Sequence, residues 1–567
     1  MAEYTRKRIP LESIEPSMGN IMKKPFFGFA VTAAVCLTFG FAAGDSIYFK
    51  INKNIDIFGR VYKEIVSNYV DEVDPERFMH EGIDGMLETL DPYTVFIGEK
   101  EGDEIDLITH GEYGGVGISI GMRDGNIIVI APMEGYSAQK QGIRAGDIII
   151  EVGGFKVDGM NLDSVRSRVR GEPGTEVTMK IEREGEQRPL EFVLVREEIQ
   201  VNNVSYTGIL ENGIGYIRLD RFSRRAGDEV RQAIKDLKAQ SPLRGLVLDL
   251  RGNPGGLLEA AVDIVGNFVP RGETVVSTRG RGAEDQKLYT VENDPLLPDL
   301  PLAVLVDRNS ASASEIVAGA IQDLDRGVIV GTRSFGKGLV QTIVPLSYNA
   351  SLKITTARYY TPSGRSIQEI DYKHSNKSGV YTITPDSLRH AFRTEHGRTV
   401  MDAGGIAPDS VVASEEPSSL GQELLRTAMY FKFATSYIRK HPLKEEFVSG
   451  ENLLREFLQF VQSQKFEYKD DVEKKLADMK KMLQDEKYDS SIIVSLESIN
   501  IKIQREKGSA FIRHGREVQR ELESEIVSRY DGERGRIRAT LPYDAQLQAA
   551  IGLVKNSAEY TRRLAAK

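Results

Sequence analysis

Apolar positions follow different rules in successive parts of this chain. Residues Phe26 to Ala43 (FFGFAVTAAVCLTFGFAA) form one uncharged, mainly apolar run. From Ile55 to Thr89 the apolar residues Phe58, Val61, Ile65, Tyr69, Phe78, Ile83, Met86 and Leu87 recur at helical spacing. Leu90-Asp91-Pro92-Tyr93-Thr94 stops that pattern, because a residue before proline is driven out of helical geometry. Gly111 to Glu198 shows short alternating runs broken by glycines around one helical stretch, Leu162 to Arg170, and predicts a compact β-rich module. From Gly213 on, strand patterns (213–222, 245–250, 302–306, 328–330, 354–360) alternate with amphipathic helices such as Ala226 to Ala239 and Glu315 to Ile321. That alternation predicts an α/β core. Past Leu420 glycines thin out, and Leu453–Leu458, Val472–Leu483 and Ile492–Ile503 carry amphipathic helical spacing. A mainly helical, charged extension is expected there.

Composition narrows the function classes. With 567 residues, 40% hydrophobic and 28% charged, the chain has ample core for several domains. A net charge of −9 without a basic stripe argues against nucleic acid as a partner. The single cysteine, Cys36, excludes an internal disulfide framework and a cysteine-based zinc site. Lys23-Lys24 and Arg6-Lys7-Arg8 precede the apolar run, so a single-pass anchor in the cytoplasmic membrane is expected, its basic flank inside and everything after Gly44 periplasmic or otherwise extracytoplasmic. A cleaved signal peptide, with small residues at Gly40 and Ala42, is the alternative.

Chemistry concentrates in Val304 to Gln341. A buried strand pattern runs into Ser310-Ala311-Ser312-Ala313-Ser314-Glu315 and then into a helix, a geometry that can hold a serine hydroxyl where free N–H groups favour negative charge. Ser334-Phe335-Gly336-Lys337-Gly338 follows, a lysine fenced by glycines. A serine needs a base, and none of the seven histidines lies in this stretch. A lysine whose pKa is lowered by burial can serve instead. Arg251-Gly252-Asn253-Pro254-Gly255-Gly256 follows another buried strand; glycines let backbone N–H groups approach a reacting carbonyl and stabilise its oxyanion.

Ser-Ala-Ser-Ala-Ser-Glu followed by Phe-Gly-Lys-Gly-x-Val-Gln closely resembles the carboxyl-terminal processing peptidases, or tail-specific proteases, of serine peptidase family S41, and the resemblance extends over about residues 55 to 410. It implies Ser312 as nucleophile, Lys337 as general base and Gln341, one helical turn beyond, as the residue orienting the lysine. The oxyanion hole would be Ala313 with an amide from Gly255 or Gly256, a choice left open. Gly114-Gly115-Val116-Gly117-Ile118 and the continuations through Ala145-Gly146-Asp147 and Arg170-Gly171 resemble a PDZ domain, whose loop amides cradle a terminal carboxylate while the peptide adds a strand. Arg170 is the candidate for coupling that domain to the active site. The implied fold is multidomain α+β: a cytoplasmic N-terminus (1–24), membrane anchor or signal segment (25–49), helical segment (50–110), PDZ domain (111–198), crotonase-like α/β protease core (199–419) and C-terminal helical domain (420–567). The implied function is a serine endopeptidase that grips the C-terminal tails of exported proteins, needs no metal or organic cofactor, and has the C-terminal helices available for homo-oligomerisation. A catalytically silent PDZ scaffold and a crotonase-type acyl-CoA enzyme are the alternatives; the intact Ser312, Lys337 and Gln341 set opposes the first, and the export segment and PDZ module the second.

Overall fold

The computed structural model describes residues 26–99, 111–375, 381–441, 447 and 452–565, with 26–46 described by backbone alone. The chain divides into two units, residues 1–89 and 90–567. In the first, α1 (Phe26–Asn68) and α2 (Pro75–Leu87) form a helical pair. Asp74 caps α2 by accepting from the Arg77 N–H at 3.1 Å, and Pro75 occupies a first-turn position where its missing N–H costs nothing. Tyr62 joins the helices by stacking on Phe78, centroids 5.9 Å apart, and by donating its hydroxyl to the Pro75 carbonyl. Among the described residues no helix is long and apolar enough to cross a membrane, and the Phe26–Ala43 run expected to do so lies outside the residues whose side chains are described.

The second unit opens with β1 (Val95–Ile97), and the β module follows as β2 (Glu112–Gly115), β3 (Ile118–Arg123), β4 (Asn126–Pro132), β5 (Ile148–Val152), β6 (Phe155–Lys156), helix α3 (Leu162–Val169), β7 (Glu176–Glu182), β8 (Leu190–Val195) and β9 (Glu197–Gln200). Its sheet runs β3-β4-β5-β7-β8, so β3 is an edge strand, and β2 pairs separately with β9. Val116, Val129, Ile149, Val165, Met179 and Leu194 fill a core of its own.

The α/β core runs β10 (Val204–Leu210), β11 (Ile214–Leu219), α4 (Ala226–Gln240), β12 (Gly245–Asp249), α5 (Leu258–Val265), β13 (Thr274–Arg279), β14 (Lys287–Thr290), β15 (Leu302–Val306), α6 (Ala313–Asp323), β16 (Val328–Gly331), β17 (Leu339–Pro345), β18 (Ser351–Tyr360) and β19 (Ser410–Val411). Its main sheet has the order β10-β11-β12-β15-β16-β19 and is parallel from β11 onward. A second, antiparallel sheet joins β1, β18, β13 and β14, with β17 added on β18. Every residue of β12 and β15 is buried, as a parallel strand covered on both faces requires.

The two covers of that sheet come from distant parts of the chain. On one face α4, α5 and α6 pack their apolar sides around Leu248, Val304 and Val306. On the other lie residues from the extreme C-terminal region: Ile537, Leu547, Ala550, Ile551, Val554 and Tyr560 against Val247, Ala303, Leu305 and Val330. The helices α7 (Ser419–Arg426), α8 (Met429–Lys440), α9 (Leu453–Ser463), α10 (Asp471–Asp485), α11 (Ser490–Lys507), α12 (Gly515–Thr540), α13 (Ala545–Lys555) and α14 (Ser557–Leu564) therefore serve two cores. Helices α7, α8 and α9 and the first half of α12 build an aromatic-rich core around Phe433 and Phe457, and α8 also holds the β module through Lys432–Asp124 and Arg439–Glu184 ion pairs at 2.7 and 2.8 Å. In contrast α13 and α14 belong physically to the α/β core, where the Tyr560 hydroxyl bonds the Leu302 backbone. Leu547 is fully buried there, and Leu547→Ala is expected to cost about 2–5 kcal/mol by the cavity it leaves. Urea unfolding followed in the α/β core checks this; a loss below about 1 kcal/mol would show that α13 is not part of that core.

Candidate active site

The parallel strands deliver the site at the carboxyl ends of β12 and β15, where loops leave a buried sheet. After β15 the chain turns sharply into α6, and Ser312 sits at the turn with φ 55° and ψ −114°. That conformation is costly for a residue with a Cβ and is held by the surroundings. The three serines of the run do different work. Ser310 Oγ donates to the Leu250 carbonyl at 2.8 Å, and Ser314 Oγ to the Asn253 carbonyl at 2.9 Å. Both tie the turn to the segment 250–253 that follows β12. Among the described residues the Ser312 hydroxyl has no side-chain hydrogen-bond partner, and Ser312 occupies the N-cap of α6.

Gly255 packs against this turn so closely that a Cβ there would stand 2.9 Å from Ser312 Cβ and 2.6 Å from the Ala311 carbonyl oxygen; its φ is +97°. Only glycine fits. The Gly255 N–H donates to Asn253 Oδ1 at 2.9 Å, whereas the Gly256 and Ala313 N–H groups have no acceptor among the described residues. The loop itself is anchored by Arg251, whose guanidinium bridges Asp249 and, from α13's cap, Asp544 and Gln546 at 2.5–3.0 Å. Burial pushes the Asp249 carboxyl up, but Arg251 beside it overrides this and holds it below the ordinary carboxylate value.

Glu315, in the first turn of α6, unites serine and lysine. It is fully buried, and its carboxylate accepts from the N–H groups of Ser312 and Lys337 at 2.9 Å, from Gly336 N–H at 2.7 Å and from Ser334 Oγ at 2.6 Å. Burial raises its pKa to about 7 against the pull of those four donors. Tyr359, on β18, adds a second clasp: its hydroxyl lies within hydrogen-bond reach of the Ser312 and Lys337 carbonyl oxygens.

Lys337 follows from the loop after β16. Burial lowers its pKa to about 8, with Lys353 pushing the same way and Asp91 and Glu315 opposing. Its amine lies 4.0 Å from the centroid of the Tyr93 ring, and among the described residues no hydrogen bond joins it to Ser312 Oγ. Gln341 corrects the expectation in two respects. It lies on strand β17, not one helical turn beyond the lysine, and its amide donates to Thr355 Oγ1 at 3.2 Å rather than to Lys337. A strand carries a residue four places on far from its starting point, whereas a helix would return it to the same face.

The turn before β1 completes the site. Asp91 accepts from the Tyr93 and Thr94 N–H groups at 2.9 and 3.0 Å, and Thr94 Oγ1 accepts from the Thr355 N–H at 3.2 Å. Sequence reasoning assigned no role to Glu315, Tyr359, Tyr93 or Thr94. Glu315 left a trace, as the one charged residue at the head of an otherwise apolar helix pattern; the others are brought in by β-sheet pairing alone.

In the β module, Gly114-Gly115-Val116-Gly117-Ile118 leads from β2 into edge strand β3, with α3 alongside. The Val116 and Gly117 N–H groups have no backbone acceptor among the described residues, and Gly117 has φ +73°. An open edge beside two free amides has the features used to take an extended peptide end. Arg170 is placed over the Tyr113 ring, 4.7 Å from its centroid, and makes no contact with Ser312 or Lys337 among the described residues.

Four family models match successive parts of the chain. Peptidase family S41 matches residues 213–386, the PDZ domain 104–182, the C-terminal helical domain of probable PDZ-proteases 420–554, and the N-terminal domain of the activating protease CtpB 43–101. The carboxy-terminal-processing protease of Bartonella bacilliformis is 41% identical over 321 residues, 56% of this chain and 73% of that protein. The carboxy-terminal processing protease CtpB of Bacillus subtilis is 33% identical over 341 residues, 60% of this chain and 69% of that protein. Among solved structures, a photosystem II D1 C-terminal processing protease aligns with 28% identity and a TM-score of 0.34, covering 66% of this chain and 96% of that one. A serine peptidase with a PDZ domain and a helical C-terminal domain is the class these matches define. The chain belongs to peptidase family S41, among the carboxy-terminal processing proteases.

Proposed function

We propose that this peptidase cuts by a serine–lysine mechanism and engages the C-terminal tails of exported proteins through its PDZ domain. The observation that carries the mechanism is the pairing of a strained serine turn with a half-buried lysine whose pKa falls to about 8, both tied by their backbone N–H groups to one carboxylate, Glu315. Neutral Lys337 takes the Ser312 proton as Oγ attacks the scissile carbonyl, and the Ala313 and Gly256 N–H groups receive the oxyanion. The lysine returns the proton to the leaving amine. Water then attacks the acyl-enzyme ester with the same amine as base, releasing the new C-terminus and free Ser312. Gln341 acts on this site at one remove, through Thr355.

The PDZ edge strand β3 and the free amides of Val116 and Gly117 are suited to a terminal carboxylate and an extended tail. Export and a membrane anchor rest on the apolar run Phe26 to Ala43 behind Lys23-Lys24.

The test uses the full-length chain in detergent, with an unfolded protein, β-casein, fitted with either an apolar or an acidic C-terminal tail. Wild type is expected to cut the apolar-tailed protein faster, and Ser312→Ala to bind it without cutting. Cleavage surviving in Ser312→Ala would remove the mechanism; binding without cleavage in wild type would return the scaffold reading.

A further inference from the structure

Tyr93 comes from outside the α/β core proper, on the turn ahead of β1, yet its ring is the surface on which the Lys337 amine rests, 4.0 Å from the centroid. The ring is itself clamped. Its hydroxyl is 3.2 Å from that of Tyr372, the two rings meet edge to face at 5.8 Å, and the Tyr93 N–H is held by Asp91. The next residue, Thr94, bonds Thr355, which carries the Gln341 amide, so one short turn reaches both Lys337 and Gln341. Resting on the reading of Lys337 as the base, we propose that Tyr93 is a positioning residue for it: the ring face seats the protonated amine off the Ser312 hydroxyl, and the amine leaves the ring when it becomes neutral.

The physical reason is the sign of the interaction. The negative face of an aromatic ring attracts an ammonium and has no comparable attraction for a neutral amine. Other groups facing Lys337 are Lys353 on β18, which disfavours its charge, and Asp91 and Glu315, which favour it. Burial works against the ammonium, the ring works for it, and the balance leaves proton loss within the reach of neutral solution. Proton loss and release from the seat are then the same event. A base held this way does not deprotonate Ser312 while still charged, and it is delivered to the serine in the form that can accept a proton.

The experiment measures the Lys337 titration directly, by the pH dependence of its acetylation with trace acetic anhydride in the full-length chain, read by mass spectrometry. Tyr93→Phe keeps the ring and is expected to leave the titration in place. Mono-, di- and trifluorinated phenylalanines at position 93 keep the shape but drain the ring face of negative charge, and each fluorine is expected to lower the midpoint. Tyr93→Leu is expected to lower it by about half a unit to one and a half units, with the acid limb of cleavage moving by the same amount. A fluorinated series that titrates with Tyr93→Phe overturns the proposal, and it decides the question even where Tyr93→Leu fails to fold. Cleavage surviving in Lys337→Met would instead remove the base assignment while leaving the acetylation result intact, so the two failures are distinguishable.

Discussion

Lys337→Met is expected to abolish cleavage, by about a thousandfold or more, and at the same time to make the protein more stable at pH 7. Activity is lost because nothing else in the site can take the Ser312 proton: Glu315 is committed to four donors, and no histidine is present in the 304–341 stretch. Lys337→Arg is expected to be equally inactive, since a guanidinium does not give up its proton. Stability moves the other way because burial holds the folded lysine near 8 while the unfolded one titrates near its ordinary 10.5. Between those values the unfolded chain binds the additional proton, so wild type is penalised below pH 8 and the penalty fades as pH rises through about 10.5. Methionine fills similar space with no charge to desolvate. After allowance for the partial exposure of the lysine, the gain is about 1–2 kcal/mol at pH 7, and it should shrink towards zero at pH 10.5. Wild-type cleavage should rise with pH along a limb centred near 8. Urea unfolding at the two pH values and a pH–rate profile check these points, and a Lys337→Met protein less stable than wild type at pH 7 would contradict the burial of an ammonium.

Glu315→Ala carries the second large effect. It strands three buried or half-buried N–H groups and the Ser334 hydroxyl at once. At about 1–3 kcal/mol for each buried donor left without an acceptor, a loss of at least about 4 kcal/mol is expected. The turn carrying Ser312 and the loop carrying Lys337 lose their common partner, so labelling of Ser312 by a fluorophosphonate should disappear with cleavage. Glu315→Gln separates charge from geometry. One carbonyl oxygen can serve only two of the four donors, and an intermediate loss is expected. The wild-type carboxyl titrates near 7 in the fold against an ordinary value of 4.5. The folded chain therefore holds the proton more tightly, and wild type loses stability as pH rises from about 4.5 to 7. Glu315→Gln should lack that slope. Denaturant midpoints across this range, together with Ser312 labelling, check the argument; a Glu315→Ala protein that still labels at the wild-type rate would refute it.

Much of the architecture was legible before any coordinates because burial writes itself into local periodicity. The apolar run Leu302–Val306 and the stretch Gly245–Leu250, apolar but for Asp249, became central parallel strands, and the glycine-punctuated stretch after Gly111 became a separate β sheet. The serine turn was legible only because Ser310-Ala311-Ser312-Ala313-Ser314-Glu315 is followed by Phe335-Gly336-Lys337-Gly338, since a serine at a helix start is by itself most often a cap. The amphipathic signal past Leu420 showed helices but could not show what each one covers. Helices α7, α8 and α9 and the first half of α12 build a core of their own, while Ile537 near the end of α12 and the helix α13 close the second face of the protease sheet.

The sequence by itself determined most of the elements and the family, because those depend on neighbouring residues and on the spacing of motifs. The tertiary structure alone decided which groups meet. Tyr93 reaches Lys337, Thr94 reaches the partner of Gln341, and Asp544 reaches Arg251, each across more than two hundred residues of chain. Such meetings follow from sheet pairing and helix packing, whose partners are chosen by the burial of whole faces and leave no mark at the residues that happen to be brought together.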